Sequence, residues 1–411
     1  MSSAVQSFAS ALRDESLSPS PASDVGQARR LHAVNAHPST PPSKILLVAG
    51  TRPECIKLAP LAHALARHPD LRVGLVNSGQ HATAVRACLA EMGLQADVEL
   101  APLPALPHLA ASHRHLRRAL AQVIRGESPD LVFVQGDTLT AYTAARAAHD
   151  AGCDVAHIEA GLRTDAVLEP FPEEWFRRRI ARYACLHFAP SQSAFENLLA
   201  EGIDARSVHR VGNTGIDSLR RCLQAQSPAQ LRGRRVRSTV LVTLHRRANY
   251  DRNSAIICDA LADLAAARPE LRFLFPVHPN PRVSAAIRRR LEAHPAFDLV
   301  EPMRYSHFIE CAARAALIIS DSGGIQEEAP HLGTPLLVPR INTERPECLA
   351  TGFVRLVAVN RESIVRSALD ALDAQRPAPL PFDERAPFGA GDAAQRIVAV
   401  LEMLLRSHAN A

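Results

Sequence analysis

The stretch Ser320-Asp321-Ser322-Gly323-Gly324-Ile325-Gln326-Glu327-Glu328 follows the apolar run Ala316-Leu317-Ile318-Ile319 and opens a helical segment. Two glycines where a strand hands over to a helix let an anion approach the backbone. Free N–H groups and the positive end of the helix dipole then attract it. Glu327 and Glu328 would repel a bare phosphate but can accept hydrogen bonds from ribose hydroxyls, so the stretch fits a nucleoside diphosphate better than inorganic phosphate. An ordinary capped helix also carries acids in its first turn; the paired glycines and the preceding strand favour the anion site. Elsewhere the chain offers the acids Asp137, Glu159 and Glu173. Carboxylates are poor phosphate ligands, and they suit proton movement on a sugar if burial raises the pKa of at least one. Arg52, His245 and Arg345 match the charge of a diphosphate, bound or departing. The chemistry these residues permit together is bond cleavage at the anomeric carbon of an activated sugar, with acid/base help.

The elements that must hold these residues read as alternating strands and helices. Ile45-Leu46-Leu47-Val48-Ala49 has the continuous apolar character of a buried parallel strand. It breaks at Gly50-Thr51-Arg52-Pro53-Glu54, and a helix is predicted from near Ile56, with Lys57 in its first turn. Lys57 is one of only two lysines, and a compact point charge at a ligand edge is a reason to keep lysine there. Further strands are predicted at 72–77, 130–135 and 154–158, ending in Ser78-Gly79-Gln80-His81, Gly136-Asp137-Thr138 and Glu159-Ala160-Gly161. Pro172-Glu173-Glu174 reads as a helix start. A second series has strands at 239–244, ending in His245-Arg246-Arg247, at 272–277, and at 335–338, followed by the loop that carries Arg345. Such alternation predicts doubly wound α/β sheets, in which ligands bind beyond the carboxyl ends of the strands. The expected layout is a disordered leader at 1–43, a Rossmann-like domain at 44–225, a linker at 226–238 and a nucleotide-binding Rossmann-like domain at 239–392. A cleft separates the two domains, and a final helix within 393–411 crosses back to the first.

Composition bounds the function classes. At 411 residues and 47% hydrophobic, the chain can bury two ordinary cores. The net charge is +5, yet Lys44 and Lys57 are the only lysines, so the arginine excess reads as a coding bias and argues weakly for a nucleic-acid partner. No dense basic run with interleaved aromatics supports one. The eight cysteines are dispersed, without a C-x-x-C pair or metal-ligand spacing, which favours reduced thiols, a cytoplasmic location and no metal. No apolar run approaches membrane-spanning length.

The motifs GTRPECIKLAPL at Gly50, SGQH at Ser78, QGDT at Gln135, HIEAGLRT at His157, PFPEE at Pro170, HRR at His245, PVHPNP at Pro276, SDSGGIQEEAPHLG at Ser320 and NTERPE at Asn342 follow in order. On these the chain closely resembles the non-hydrolysing UDP-N-acetylglucosamine 2-epimerases, from Lys44 almost to its end. The resemblance implies a GT-B-type fold of two doubly wound Rossmann-like domains, usually dimeric, with no cofactor. It implies interconversion of UDP-GlcNAc and UDP-ManNAc by elimination of UDP through a 2-acetamidoglucal and readdition, for surface or exopolysaccharide synthesis. It further implies Asp137, Glu159, Glu173 and His245 as catalytic residues. Arg52, Lys57, Ser322, Gly323, Gly324, Glu328 and Arg345 would hold UDP, with Phe308 near the uracil. The sequence departs from the family pattern at Ala82, Phe176, Ala248 and Met303. Competing readings are a 2-epimerase of a modified UDP-sugar such as a diacetamido-uronate, a hydrolysing variant, and a UDP-sugar-binding protein without catalysis.

Overall fold

The computed structural model describes residues 43–164, 170–225, 238–244, 252–277 and 281–409. The expected leader save Ser43, the expected linker save Ser238, and His245 and Ala248 lie outside the described residues. In chain order the elements of the first series are β1 (Ser43–Ala49), α1 (Arg52–Leu65), β2 (Leu71–Asn77), α2 (Ala82–Glu91), β3 (Val98–Glu99), α3 (Leu109–Glu127), β4 (Leu131–Gln135), α4 (Leu139–Asp150), β5 (Asp154–Ile158), α5 (Glu173–Tyr183), β6 (Leu186–Ala189), α6 (Gln192–Ala200), β7 (Val208–Arg210) and α7 (Thr214–Ala225). The second series has β8 (Thr239–Thr243), α8 (Arg252–Ala267), β9 (Arg272–Pro276), α9 (Pro281–Leu291), β10 (Phe297–Val300), α10 (Tyr305–Arg314), β11 (Leu317–Ser320), α11 (Gly324–Leu332), β12 (Leu336–Pro339), α12 (Pro346–Leu349), β13 (Val354–Val357) and α13 (Arg361–Asp373). The closing helix is α14 (Ala393–Ala409).

The chain divides into two compact units, one running to Asp217 and resuming at Asp392, the other spanning Ser218–Gly391. The division falls inside α7, earlier than residue 225, where composition signals nothing because the helix continues through it. Strand order in the first unit is β3-β2-β1-β4-β5-β6-β7, and in the second β10-β9-β8-β11-β12-β13. All pairings are parallel; Leu47, for example, lies opposite both Leu75 and Phe133. Each sheet reverses its order once, between β1 and β4 and between β8 and β11, and at such a switch point the flanking loops leave toward opposite faces and open a crevice.

Alternation within β1 splits its side chains between two cores. Ile45, Leu47 and Ala49 join Phe133, Phe188 and the α1 residues Leu58 and Leu61, together with Ala394, Ile397 and Leu401 of α14. Leu46 and Val48 join Val132, Val134, Leu116, Tyr142, Phe176 and Ile180 on the other face. A strand buried on both faces has no polar alternation to show, which is why these segments read as continuous apolar runs. Each fully buried Leu, Val or Phe contributes about 1.5–3 kcal/mol relative to exposure. The start of α14 is seated in the first unit by Asp217, whose carboxylate accepts from Ala393 N at 3.1 Å and Ala394 N at 2.8 Å. In the second unit Val240, Val242, Phe273, Phe275, Leu317 and Ile319 pack with Leu261, Leu264 and Ile364.

Candidate active site

In the first unit the strand ends carry a connected set of charges. Helix α1 begins at Arg52, earlier than the expected start near Ile56, because Pro53 is pre-organised for a first turn. Lys57 therefore lies in the second turn, where its ammonium pairs with the Glu159 carboxylate. Gln135 Nε2 donates to the same carboxylate at 2.6 Å. Glu159 adopts φ +64° at the end of β5. A non-glycine residue in that left-handed region costs about 1–3 kcal/mol and persists where its surroundings fix it. One strand over, Gly136 and Asp137 leave β4. The Gly136 amide donates to Ile158 O at 3.0 Å, and its carbonyl lies 2.8 Å from His157 Nε2. A carbonyl only accepts, so the proton sits on Nε2; burial lowers the His157 pKa to about 4 and keeps the ring neutral.

Asp137 is held from the side by Arg177 of α5, with which it forms an ion pair. Arg177 also binds the fully buried Glu174 at 3.0 Å. Glu174 accepts in addition from Thr164 N at 3.2 Å and Arg178 Nε at 3.0 Å, the donors a buried carboxylate needs. Glu173, half-buried, is the first helical residue of α5, directly after the cis Phe171–Pro172 bond. Phe176 stacks on Tyr142 with ring centroids 4.9 Å apart, so an aromatic core contact occupies that helix face.

Burial also raises the pKa of Glu54, a carboxyl that sequence reasoning did not single out. It has no exposed surface, and desolvation pushes it up to about 7 against the opposing hydrogen bonds from Thr138, Thr51 and Gly50. Thr51-x-x-Glu54 is a capping-box spacing, and an acid four residues beyond Gly50 was the available signal. Gly50 itself tolerates no side chain, because a Cβ there would lie 1.9 Å from Thr140 Oγ1.

In the second unit Ser320 Oγ lies 2.6 Å from Thr243 Oγ1 and accepts from Ser322 N at 3.1 Å, bending the chain into the glycine turn. Gly323 is the N-cap of α11 and offers no side chain to the helix start. Below the turn runs a buried network. Arg345 pairs with Glu327 through Nε and with Glu344 at 2.6 Å, and Arg340 binds Glu344 at 2.7 Å. Glu327, expected as a ribose acceptor, is thus buried against Arg345 in the first turn of α11. A Cβ on Gly323 would sit 2.7 Å from Arg345 Nη1, so the guanidinium occupies the space the glycine leaves. Glu328 accepts from Tyr305 Oη at 2.7 Å. Phe308, half-buried, follows one turn later in α10.

Comparison with known proteins matches residues 63–402 to the family model described as UDP-N-acetylglucosamine 2-epimerase. A probable UDP-N-acetylglucosamine 2-epimerase of Ralstonia nicotianae is 37% identical over 87% of this chain and 98% of that protein. The UDP-N-acetylglucosamine 2-epimerase of Escherichia coli is 36% identical over 87% of this chain and 98% of its own. The chain belongs to the UDP-N-acetylglucosamine 2-epimerase family. A crystal structure of the Neisseria meningitidis enzyme bound to UDP-GlcNAc superposes with a TM-score of 0.81 at 34% identity, covering 88% of this chain and all of that one. The fold is accordingly the GT-B type of two Rossmann-like domains.

Within that family framework, the structure brings Lys57 to Glu159 and joins Asp137 to α5, the helix that carries Glu173. Arg52 begins α1, and its carbonyl lies 3.8 Å from Cys88 Sγ. Ser322, Gly323 and Gly324 form one turn with Arg345 beneath it, whereas Glu328 and Phe308 belong to the α10–α11 side of the second unit. Among the described residues, no group of three or more His, Cys, Asp or Glu could hold a metal ion. No helix among them is long and apolar enough to cross a membrane.

Proposed function

We propose that this chain is a non-hydrolysing UDP-N-acetylglucosamine 2-epimerase that interconverts UDP-GlcNAc and UDP-ManNAc. The observation that carries the reading is a relationship running through nearly the whole length of both chains, 36% identity over 98% of the Escherichia coli enzyme. Asp137, Glu159 and Glu173 stand at strand or helix edges of the first unit, and the glycine turn at Ser322–Gly324 stands in the second.

The chemistry follows from the substrate. A C2 proton on an acetamido sugar is weakly acidic, so departure of UDP from C1 has to drive its removal. The C1–O bond breaks as the C2–H bond breaks, leaving UDP, a 2-acetamidoglucal and a proton on an enzyme base. Delivery of a solvent-exchangeable proton to the opposite face of C2 from a second acid, with readdition of UDP at C1, gives the epimer. Asp137, Glu159 and Glu173 are the proton-transfer groups. Arg177 and Lys57 fix the orientation of the first two, and an oriented acid/base group contributes typically about 10²–10⁴-fold. His245, outside the described residues, is assigned to the departing diphosphate together with Arg52 and Lys57. The backbone of Ser322, Gly323 and Gly324 and the dipole of α11 receive the diphosphate, Arg345 supports the turn from behind, and Glu328 and Phe308 serve the uridine. The catalytic unit is a cytoplasmic homodimer that acts on the free nucleotide sugar, in supply of surface or exopolysaccharide.

Proton NMR of the purified protein with UDP-GlcNAc in D₂O tests this. UDP-ManNAc with deuterium at C2 is the expected product. Free ManNAc with UDP would replace epimerisation by hydrolysis, and UDP binding without C2 exchange or product would overturn the enzymatic reading.

A further inference from the structure

The acid/base group Asp137 sits in a short loop whose two sides are anchored differently. On one side Gly136 is tied to β5 and to His157, through bonds of 3.0 and 2.8 Å. On the other side the anchor is Thr138. Its Oγ1 accepts from Ala141 N at 3.0 Å, capping α4, and donates to Glu54 Oε1 at 2.6 Å. The other oxygen of Glu54 holds Gly50 N at 3.0 Å and Thr51 Oγ1 at 2.8 Å. One carboxylate therefore fastens the loop after β1 to the loop after β4, the two loops that flank the switch point of this sheet.

A capping-box glutamate ordinarily serves its own helix start at a solvated surface. Glu54 departs from that in two respects. It is completely buried, where an ionised carboxylate is costly and desolvation raises its pKa to about 7. It also spends one oxygen on the N-cap of a different helix. With no solvent-exposed surface, Glu54 faces protein groups and not an open site. What the cost secures is registry between α1, which bears Arg52 and Lys57, and the loop that presents Asp137.

We propose that Glu54, acting through Thr138, is a positioning residue for Asp137, setting the distance between that acid and the Lys57–Glu159 pair. This rests on the epimerase reading above. A misplacement of about 1 Å at a reacting group costs on the order of 10²-fold in rate while leaving remote binding contacts intact. Loss of the clasp therefore lowers kcat and spares KM.

The experiment compares Glu54→Ala, Thr138→Val, Thr138→Ser and the double variant Glu54→Ala/Thr138→Val. The readouts are UDP-GlcNAc turnover and amide hydrogen exchange across residues 136–141. Expected for Thr138→Val is a kcat loss of about 10- to 100-fold with KM within about twofold. Thr138→Ser, which keeps the hydroxyl, restores most of the rate. The double variant is no slower than the slower single variant, because both remove one link. Faster exchange at 136–141, with exchange in the second unit unchanged, accompanies the loss. Wild-type kcat in Thr138→Val, a parallel rise in KM, or multiplicative losses in the double variant would overturn the proposal. If Glu54→Ala does not fold, Thr138→Val and Thr138→Ser decide it. Absence of turnover in the wild type would instead overturn the epimerase reading; the exchange readout needs no turnover, and unchanged protection at 136–141 in Thr138→Val would overturn the clasp on its own.

Discussion

Replacing Glu54 with glutamine should stabilise the first unit, and should do so only above a particular pH. The folded-state pKa of Glu54 is about 7, raised from an ordinary 4.5 by burial. A shift of about 2.5 units corresponds to roughly 3 kcal/mol at 1.36 kcal/mol per unit. The folded state binds the proton more tightly than the unfolded state, so the unfolded chain releases it first as pH rises. Stability is then fully present below about pH 4.5, falls between about 4.5 and 7, and has lost roughly 3 kcal/mol above that window. Glutamine keeps the shape and cannot ionise. Its carbonyl can take Gly50 N and Thr51 Oγ1, and its amide can donate to Thr138 Oγ1. The difference between Glu54→Gln and wild type should therefore be near zero at pH 4.5 and grow toward about 3 kcal/mol at pH 8. Trp175, the sole tryptophan, lies on α5 in the first unit, so its fluorescence during urea unfolding reports this unit directly. A difference that stays flat between pH 4.5 and 8 would refute the argument, since it would mean that Glu54 does not titrate between those limits in the folded protein.

The remaining predictions concern the other edges. Asp137→Asn, Glu159→Gln and Glu173→Gln should each lower turnover by about 10²-fold or more while UDP affinity by calorimetry is retained, because the proposed mechanism assigns them to protons and not to phosphate; full activity in all three would remove the carboxylates from the chemistry. Arg345→Ala should weaken UDP binding by about tenfold, since Glu327 and Glu344 would lose a shared buried cation and the turn its support. Gly323→Ala should act in the same direction, its methyl displacing the guanidinium from 2.7 Å; unchanged affinity in both would detach the turn from the nucleotide. Asp217→Ala, which strips the amides of Ala393 and Ala394 of their acceptor, should cost about 1–2 kcal/mol and speed hydrogen exchange at 393–401. Burial pushes Asp217 up to about 6, so in the wild type its contribution to stability declines as pH rises from about 4 to 6.

The sequence alone determined the alternation of strands and helices, because strands buried on both faces must be apolar throughout and the loops between them must break that pattern. It also determined which residues end those strands, hence Asp137, Glu159 and the glycines at 323 and 324, since a strand end is a local property. Helix α1 starts about a turn earlier than its local sequence suggests, because Gly50 to Glu54 carries turn residues and Pro53 serves equally in a loop and at a helix start. What only the tertiary structure decided were the partners. Lys57 and Glu159 are far apart in sequence, as are Arg177 and Asp137, and Arg345 and Glu327. Glu54 was invisible as anything more than a first-turn acid, because its burial depends on Thr138 arriving from another strand's end. Local pattern fixes where a side chain leaves the backbone; pairing and desolvation are set by chain segments that the sequence separates and the sheet brings together.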